Sequence, residues 1–218
     1  MKFNSNIREH AVSQYSRKQN LLDLQKLWSL GNQQKSLYQI VFEQFNLKKD
    51  KTILDLGAGI GKLWLETLLL FSEDFHVVLS DFSQAMLYEA KPNLKQNEDV
   101  FGSLNFIQND AQFIPFKHLT FDLVIAGHIL YHVPDINQAV KEIKHILNPD
   151  GKLIATTVLK DHIQELAKLE KIAGNPHHNK KKVIFSEFQI NSGKKILEEN
   201  LLLNLLILKS SREIGVNC

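Results

Sequence analysis

Asp55-Leu56-Gly57-Ala58-Gly59-Ile60-Gly61 sets a carboxylate two residues ahead of three glycines at alternate positions. Two further acidic residues, Asp81 and Asp110, close short apolar runs downstream, and Gly127-His128 closes another. The combination suits a nucleotide-like ligand. Glycines let a strand-to-helix turn tighten and let a ligand lie against bare backbone. Asp81 stands 24 positions after Gly57. A carboxylate there can accept both hydroxyl protons of a ribose, although a strand-end Asp also serves as a plain turn or capping residue.

The glycine spacing bears on which nucleotide. A dinucleotide fingerprint reads Gly-x-Gly-x-x-Gly/Ala, its last small residue letting helix and strand close up. Here Gly61 is followed by Lys62, Leu63 and bulky Trp64. Asp55 would repel a pyrophosphate and attract a sulfonium or an ammonium. The chain also has no second mononucleotide half with its own fingerprint. These features argue against NAD and leave an NAD-dependent oxidoreductase as the last of three readings. No His/Cys spacing suggests zinc and no acidic cluster suggests magnesium, so no metal is expected.

To bring these residues together the chain must alternate strands and helices. Apolar runs at 52–56, 76–80, 104–107, 121–126 and 152–158 read as buried strands, with helical patterns between them. Ser83 is placed to cap the helix carrying Ala85, Met86, Leu87 and Ala90, and Pro92 is expected to kink or end it. Pro134-Asp135 opens a helix with Val140, Ile143, Ile146 and Leu147 on one side, and Asn148-Pro149-Asp150-Gly151 stops it. Such alternation predicts an α/β fold with a doubly wound, mostly parallel sheet. Residues 1–47 read as a helical N-terminal cover, with Leu37, Ile40, Val41 and Phe45 on one face and a break at Gly31-Asn32. Residues 48–218 make the α/β domain, with a helical and loop insertion at about 160–190 and a basic loop at 174–182. Residues 201–208 could form a sixth strand.

The bulk numbers agree with one globular domain: 218 residues, 44% hydrophobic and 23% charged. A formal charge of +2 is too small to make nucleic acid the main partner. The one cysteine, Cys218, permits no internal disulfide, which fits a reducing, cytoplasmic setting. The N-terminus lacks a signal-peptide core, and no apolar run is long enough to span a bilayer, so no membrane is expected.

Taken in order, the motifs resemble those of class I S-adenosylmethionine-dependent methyltransferases. Asp55 to Gly61 is similar to the first motif of that family, and Ser80-Asp81-Phe82-Ser83-Gln84-Ala85-Met86-Leu87 to the second. Asn109-Asp110-Ala111-Gln112-Phe113-Ile114-Pro115-Phe116 resembles the third, and Phe121-Asp122-Leu123-Val124-Ile125-Ala126 the fourth. The match covers residues 52–158 and is most similar to the small-molecule group often labelled methyltransferase type 11.

The resemblance implies S-adenosyl-L-methionine as cofactor. Gly57, Ala58, Gly59 and Gly61 would let its methionine part lie against the turn, and Asp55 would help hold the amino group. Asp81 would take the ribose hydroxyls. Phe82 and Met86 would flank the adenine, plain core packing being the other reading. Asp110 would accept from the adenine amino group and the Ala111 amide would reach a ring nitrogen, while Gly127 and His128 would line the sulfonium region through their backbone. Tyr131 and His132 are the catalytic candidates, either as a base or as pocket walls. The acceptor is expected to be a small molecule, because the Asn/Asp-Pro-Pro-aromatic signature of nucleobase amino methylation is replaced by Gly127-His128-Ile129-Leu130. A monomer or homodimer is expected. The alternative is a cofactor-binding protein with lost or reduced catalysis: the family ends its sheet with a sixth strand and an antiparallel seventh, and 209–218 is short and polar for the latter.

Overall fold

The computed structural model describes residues 36–45, 51–70, 74–158 and 204–210. Among them the chain forms helix α1 (Leu37–Glu43), β1 (Thr52–Leu56), α2 (Lys62–Thr67), β2 (His76–Asp81), α3 (Gln84–Lys95), β3 (Ser103–Gln108), β4 (Phe121–Gly127), α4 (Ile136–Ile146), β5 (Leu147–Val158) and β6 (Asn204–Ser210). The six strands lie in the order β3-β2-β1-β4-β5-β6, every neighbouring pair parallel. Strand order reverses between β1 and β4, which opens a crevice at the carboxyl ends of those two strands.

The central strands are apolar because helices cover both faces of the sheet. Leu54, Leu56, Val124 and Ala126 pack with α4, whereas Ile53, Leu123 and Ile125 pack with α1, α2 and α3. Alternation along β1 therefore turns Asp55 toward the α2 side, where Trp64 is fully buried. Helix α4 buries Ile136, Ala139, Val140, Ile143 and Ile146, one stripe at helical spacing. Its N-cap Asp135 accepts from Gln138 N at 3.0 Å.

Four local expectations need correction. Pro92 does not end α3, which runs on to Lys95. Pro92 sits on the exposed side, where the freed carbonyl can face water, and Ala90 and Leu94 on the other side are fully buried. Ser83 is the N-cap of α3, but its side chain does not cap. Instead Asp81 Oδ1 accepts from Ser83 N at 2.7 Å. Strand β5 starts at Leu147, opposite Phe121, before residues 148–151 bulge out and pairing resumes at Lys152 opposite Leu123. Gly151 permits that excursion, since a Cβ there would come within 2.9 Å of Asn148 O. Strand β6 runs on to Ser210, past the expected end at 208, and pairs with β5 from Asn204 opposite Lys152; residues 201–203 lie outside the described residues.

Of the N-terminal cover, α1 is described, with Val41 and Phe45 buried as expected and Ile40 only half-buried. The break at Gly31-Asn32, the boundary near residue 47, the segment at 160–190 with its basic loop, and any seventh strand lie outside the described residues. Among the described residues no helix is long and apolar enough to cross a membrane.

Candidate active site

The turn after β1 is built from backbone that only glycine adopts easily. Gly57, Gly59 and Gly61 have φ of +79°, +57° and +73°. Gly57 N and Ala58 N both donate to Ser80 O, at 2.8 and 2.9 Å, which fastens the turn to β2. Gly59 N donates to Asp81 Oδ2 at 2.8 Å. The Asp81 carboxylate thus accepts two backbone N–H groups, one from the glycine turn and one from the start of α3, so its position is fixed before any ligand arrives.

Two of the glycines make room for the protein itself. A Cβ on Gly61 would lie 2.6 Å from Leu94 Cδ1 and 3.3 Å from Leu79 Cδ2, so its bareness lets α3 pack against the turn. A Cβ on Gly57 would meet Ile129 Cδ1 at 2.6 Å. Gly61 does not line the cavity described below, whereas Gly57, Ala58 and Gly59 do.

Asp55 lies at the floor of the crevice, 4% exposed, and accepts from Trp64 Nε1 at 2.8 Å. Burial pushes its carboxyl up to about 7; the indole N–H opposes that rise and the nearby Asp81 charge adds to it. Burial also raises Asp81, against the pull of the Ser83 and Gly59 N–H groups. Two carboxyls set close together in one crevice, both pushed up by burial, favour a ligand that brings positive charge.

Beyond β3, Asp110 accepts from Gln112 N at 2.9 Å and from Gln112 Nε2 at 3.1 Å. After β4 the chain turns through His128, whose φ is +57°, uncommon outside glycine and characteristic of functional turns. His128 N donates to the buried Thr156 Oγ1 at 3.0 Å, which holds that turn in place.

These elements enclose a cavity of about 490 Å³, within the usual range for a small-molecule site. Its lining includes Asp55, Gly57, Ala58, Gly59, Asp81, Phe82, Met86, Asp110, Ala111, Gly127, His128 and His132. Tyr131 is not brought there. It is 2% exposed and packs in the core beside α4, its ring 4.4 Å from that of His132. Met86 is buried and Phe82 is 38% exposed, so both expected adenine neighbours border the cavity, one from within the core and one from the rim.

The N-terminal helices are expected from the sequence to wall the substrate side, and Leu37, Tyr38 and Val41 of α1 do line the cavity; the other expected wall, 160–189, lies outside the described residues. Ile129 and Val133, which also line it, were not anticipated. Lys62 lies at the rim, its Nζ 5.7 Å from the Tyr38 ring centroid and 3.4 Å from Glu66 Oε1. Ser36-x-x-Gln39 is a capping box that could have announced α1. Trp64, Gln112 and Thr156 carry no local signal, because each acts across a turn or between strands.

The donor set fits S-adenosylmethionine: acidic groups at three strand ends, a bare turn beside them, and apolar surface between. Fold and site together define a class I S-adenosylmethionine-dependent methyltransferase domain. The family model described as "Methyltransferase domain" matches residues 47–201, and the chain belongs to that family. The ubiquinone/menaquinone biosynthesis C-methyltransferase UbiE of Escherichia coli O1:K1 / APEC is 31% identical over 122 residues, covering 56% of this chain and 48% of the relative. The chain thus spans about half the length of the curated relatives it matches. Two solved structures share the fold. A putative methyltransferase from Bacillus halodurans C-125 has a TM-score of 0.58 at 20% identity, covering 76% of this chain and 68% of its own. A putative S-adenosyl-L-methionine-dependent methyltransferase from Methanococcus maripaludis has a TM-score of 0.55 at 23% identity, covering 75% and 74%.

Proposed function

We propose that the protein transfers a methyl group from S-adenosylmethionine to a small-molecule acceptor with an apolar body. The observation that carries this reading is the convergence of Asp55, Asp81 and Asp110 on one cavity at the reversal of strand order, with the glycine turn between them. Asp81 takes the ribose hydroxyls, its two oxygens already oriented by backbone donors. Asp55 faces the methionine ammonium. Asp110 accepts from the adenine amino group, with Phe82 and Met86 against the ring. Gly127 and His128 border the sulfonium region.

When bound, the cofactor supplies a methyl carbon made electrophilic by its sulfonium. The chain's part is to align an acceptor with that carbon and exclude water, and such orientation can lower a barrier by about 7–11 kcal/mol at best. The Leu37, Tyr38, Val41, Ile129 and Val133 surfaces suit an apolar acceptor body. His132, between Ile129 and Val133 in the chain and also lining the cavity, is the candidate for receiving a proton from an acceptor hydroxyl or carbon acid. Tyr131, enclosed in the core, acts through packing against His132.

Calorimetric titration with S-adenosylmethionine and S-adenosylhomocysteine tests the reading directly. Binding is expected, and Asp81→Asn should weaken it at least about tenfold, as loss of a charged hydrogen-bond acceptor does. A folded protein with no affinity for either compound sinks the proposal. Release of S-adenosylhomocysteine across a panel of phenols, quinols and amines then separates transfer from binding alone. His132→Gln should lower kcat for acceptors that must lose a proton and leave those that need not unchanged.

A further inference from the structure

We propose that Gln112 is the positioning residue for adenine recognition: its side-chain amide fixes the Asp110 carboxylate in the orientation that accepts from the adenine amino group. The proposal rests on the reading of Asp110 given above. Gln112 is 6% exposed, and both ends of its amide are engaged. Nε2 donates to Asp110 Oδ1 at 3.1 Å and to Oδ2 at 3.3 Å, while the Gln112 backbone N donates to Oδ1 at 2.9 Å. At the other end, Oε1 accepts from Asp135 N at 3.0 Å.

Chemistry admits one orientation of this amide. A carboxylate only accepts and a backbone N–H only donates, so Nε2 must face Asp110 and Oε1 must face Asp135. A flip would set oxygen against carboxylate and N–H against N–H. The far anchor is stiff, because Asp135 is the N-cap of α4 and its own carboxylate accepts from Gln138 N at 3.0 Å. Gln138 Nε2 also reaches Gln112 O at 3.4 Å. The Asp110 carboxylate is thus held at Oδ1 by the Gln112 backbone N–H, and its second oxygen is oriented by one buried side chain anchored on the first turn of α4.

Gln112 lies outside the cavity lining while Asp110 lies on it, so the Gln112 side chain reaches the adenine amino group through Asp110. A residue that merely tied the loop to α4 would alter stability and affect all ligands alike. A positioning residue alters discrimination of the one group that Asp110 reads.

The experiment titrates the full chain with S-adenosylhomocysteine and with its 6-deamino analogue, in which hydrogen replaces the adenine amino group. Wild type should prefer the amino-bearing ligand by about tenfold, the worth of one good hydrogen bond in a buried site. Gln112→Glu retains the acceptor for Asp135 N but opposes Asp110 with a second carboxyl, and Gln112→Met removes both polar ends at similar volume. Both should cut the preference below about threefold, with affinity for the deamino analogue held within about twofold. Full preference in Gln112→Met, or in Gln112→Glu where the tether survives, overturns the proposal. Asp110→Ala separates the two readings. If it abolishes the preference while the Gln112 variants keep it, only the role of Gln112 falls. If the preference survives Asp110→Ala, or wild type shows none, the assignment of Asp110 falls and the proposal with it.

Discussion

At the residue scale, Asp55 ties the electrostatics of the cavity to pH. Its carboxyl is pushed up to about 7 by burial, with the Trp64 indole working against that and Asp81 adding to it. A raised carboxyl binds its proton more tightly in the folded chain than in the unfolded one. Stability from this group is therefore fully present below the ordinary carboxylate range and falls as pH rises toward about 7, by at most about 1.4 kcal/mol per pH unit. Cofactor affinity should run the other way, since an ammonium is attracted by the ionised form. The dissociation constant of S-adenosylhomocysteine should drop as pH rises through about 7 and then level off. Trp64→Phe removes the donor that opposes the rise, so the midpoint of that curve should move to higher pH. Titrations at a series of pH values check both, and a flat curve in wild type would refute the assignment of Asp55. Asp55 itself was legible as a carboxylate ahead of glycines. Its partner was not, because the indole reaches back nine residues across the turn. Trp64 could be read from sequence only as a residue too bulky for a dinucleotide fingerprint.

At the element scale, the three glycines look alike in sequence and do different work. All adopt positive φ, so any side chain strains the backbone by about 1–3 kcal/mol. At Gly61 a new Cβ meets Leu94, Leu79 and Ala90, all buried and outside the cavity lining. Gly61→Ala should lower the denaturant midpoint and leave the affinity for S-adenosylhomocysteine within about threefold in the folded fraction. At Gly57 the Cβ meets Ile129, on the segment that follows His128 and borders the cavity. Gly57→Ala should therefore cost stability and affinity together. Equal losses of affinity in the two variants would remove the distinction. The strands and α4 were legible because burial on both sheet faces demands apolar runs and a one-sided helix demands periodic spacing. Pro92 misled because the rule against proline weighs only the helix, whereas Ala90 and Leu94 hold α3 to the sheet from the buried side. The early start of β5 escaped for a similar reason: Leu147 pairs with Phe121 across a bulge that no local pattern encodes.

At the scale of the whole molecule, the two ends of the sheet are held differently. At the amino ends of β1 and β4, away from the cavity, Asp122 accepts from Thr52 N at 3.0 Å, from Lys51 Nζ at 3.0 Å and from Asn148 Nδ2 at 3.1 Å. Burial would raise the Asp122 carboxyl, but these three donors and the Lys51 charge outweigh it and hold it below the usual range. Its contribution is present above the ordinary carboxylate range and lost as pH falls through its lowered pKa. On the α1 side, aromatic rings run from cover to site: Phe45 lies 5.9 Å from Trp64 and 6.3 Å from Phe75, and Trp64 lies 5.9 Å from Phe101. Two substitutions should therefore destabilise the fold and separate in their effect on binding. Asp122→Ala takes the acceptor from three part-buried donors, one of them a lysine that water can solvate, so it should cost about 0.5–1.5 kcal/mol and leave cofactor affinity near that of wild type. Phe45→Ala opens a cavity against Trp64 and should cost about 3–5 kcal/mol, or roughly 6–20 °C in Tm for a chain of this size. Because Trp64 holds Asp55, affinity should weaken as well, and its pH midpoint should move upward as in Trp64→Phe. Melting curves and titrations on both variants decide this. Loss of affinity in Asp122→Ala but not in Phe45→Ala would mean that the cofactor site is braced from the far end of the sheet and not by its N-terminal cover.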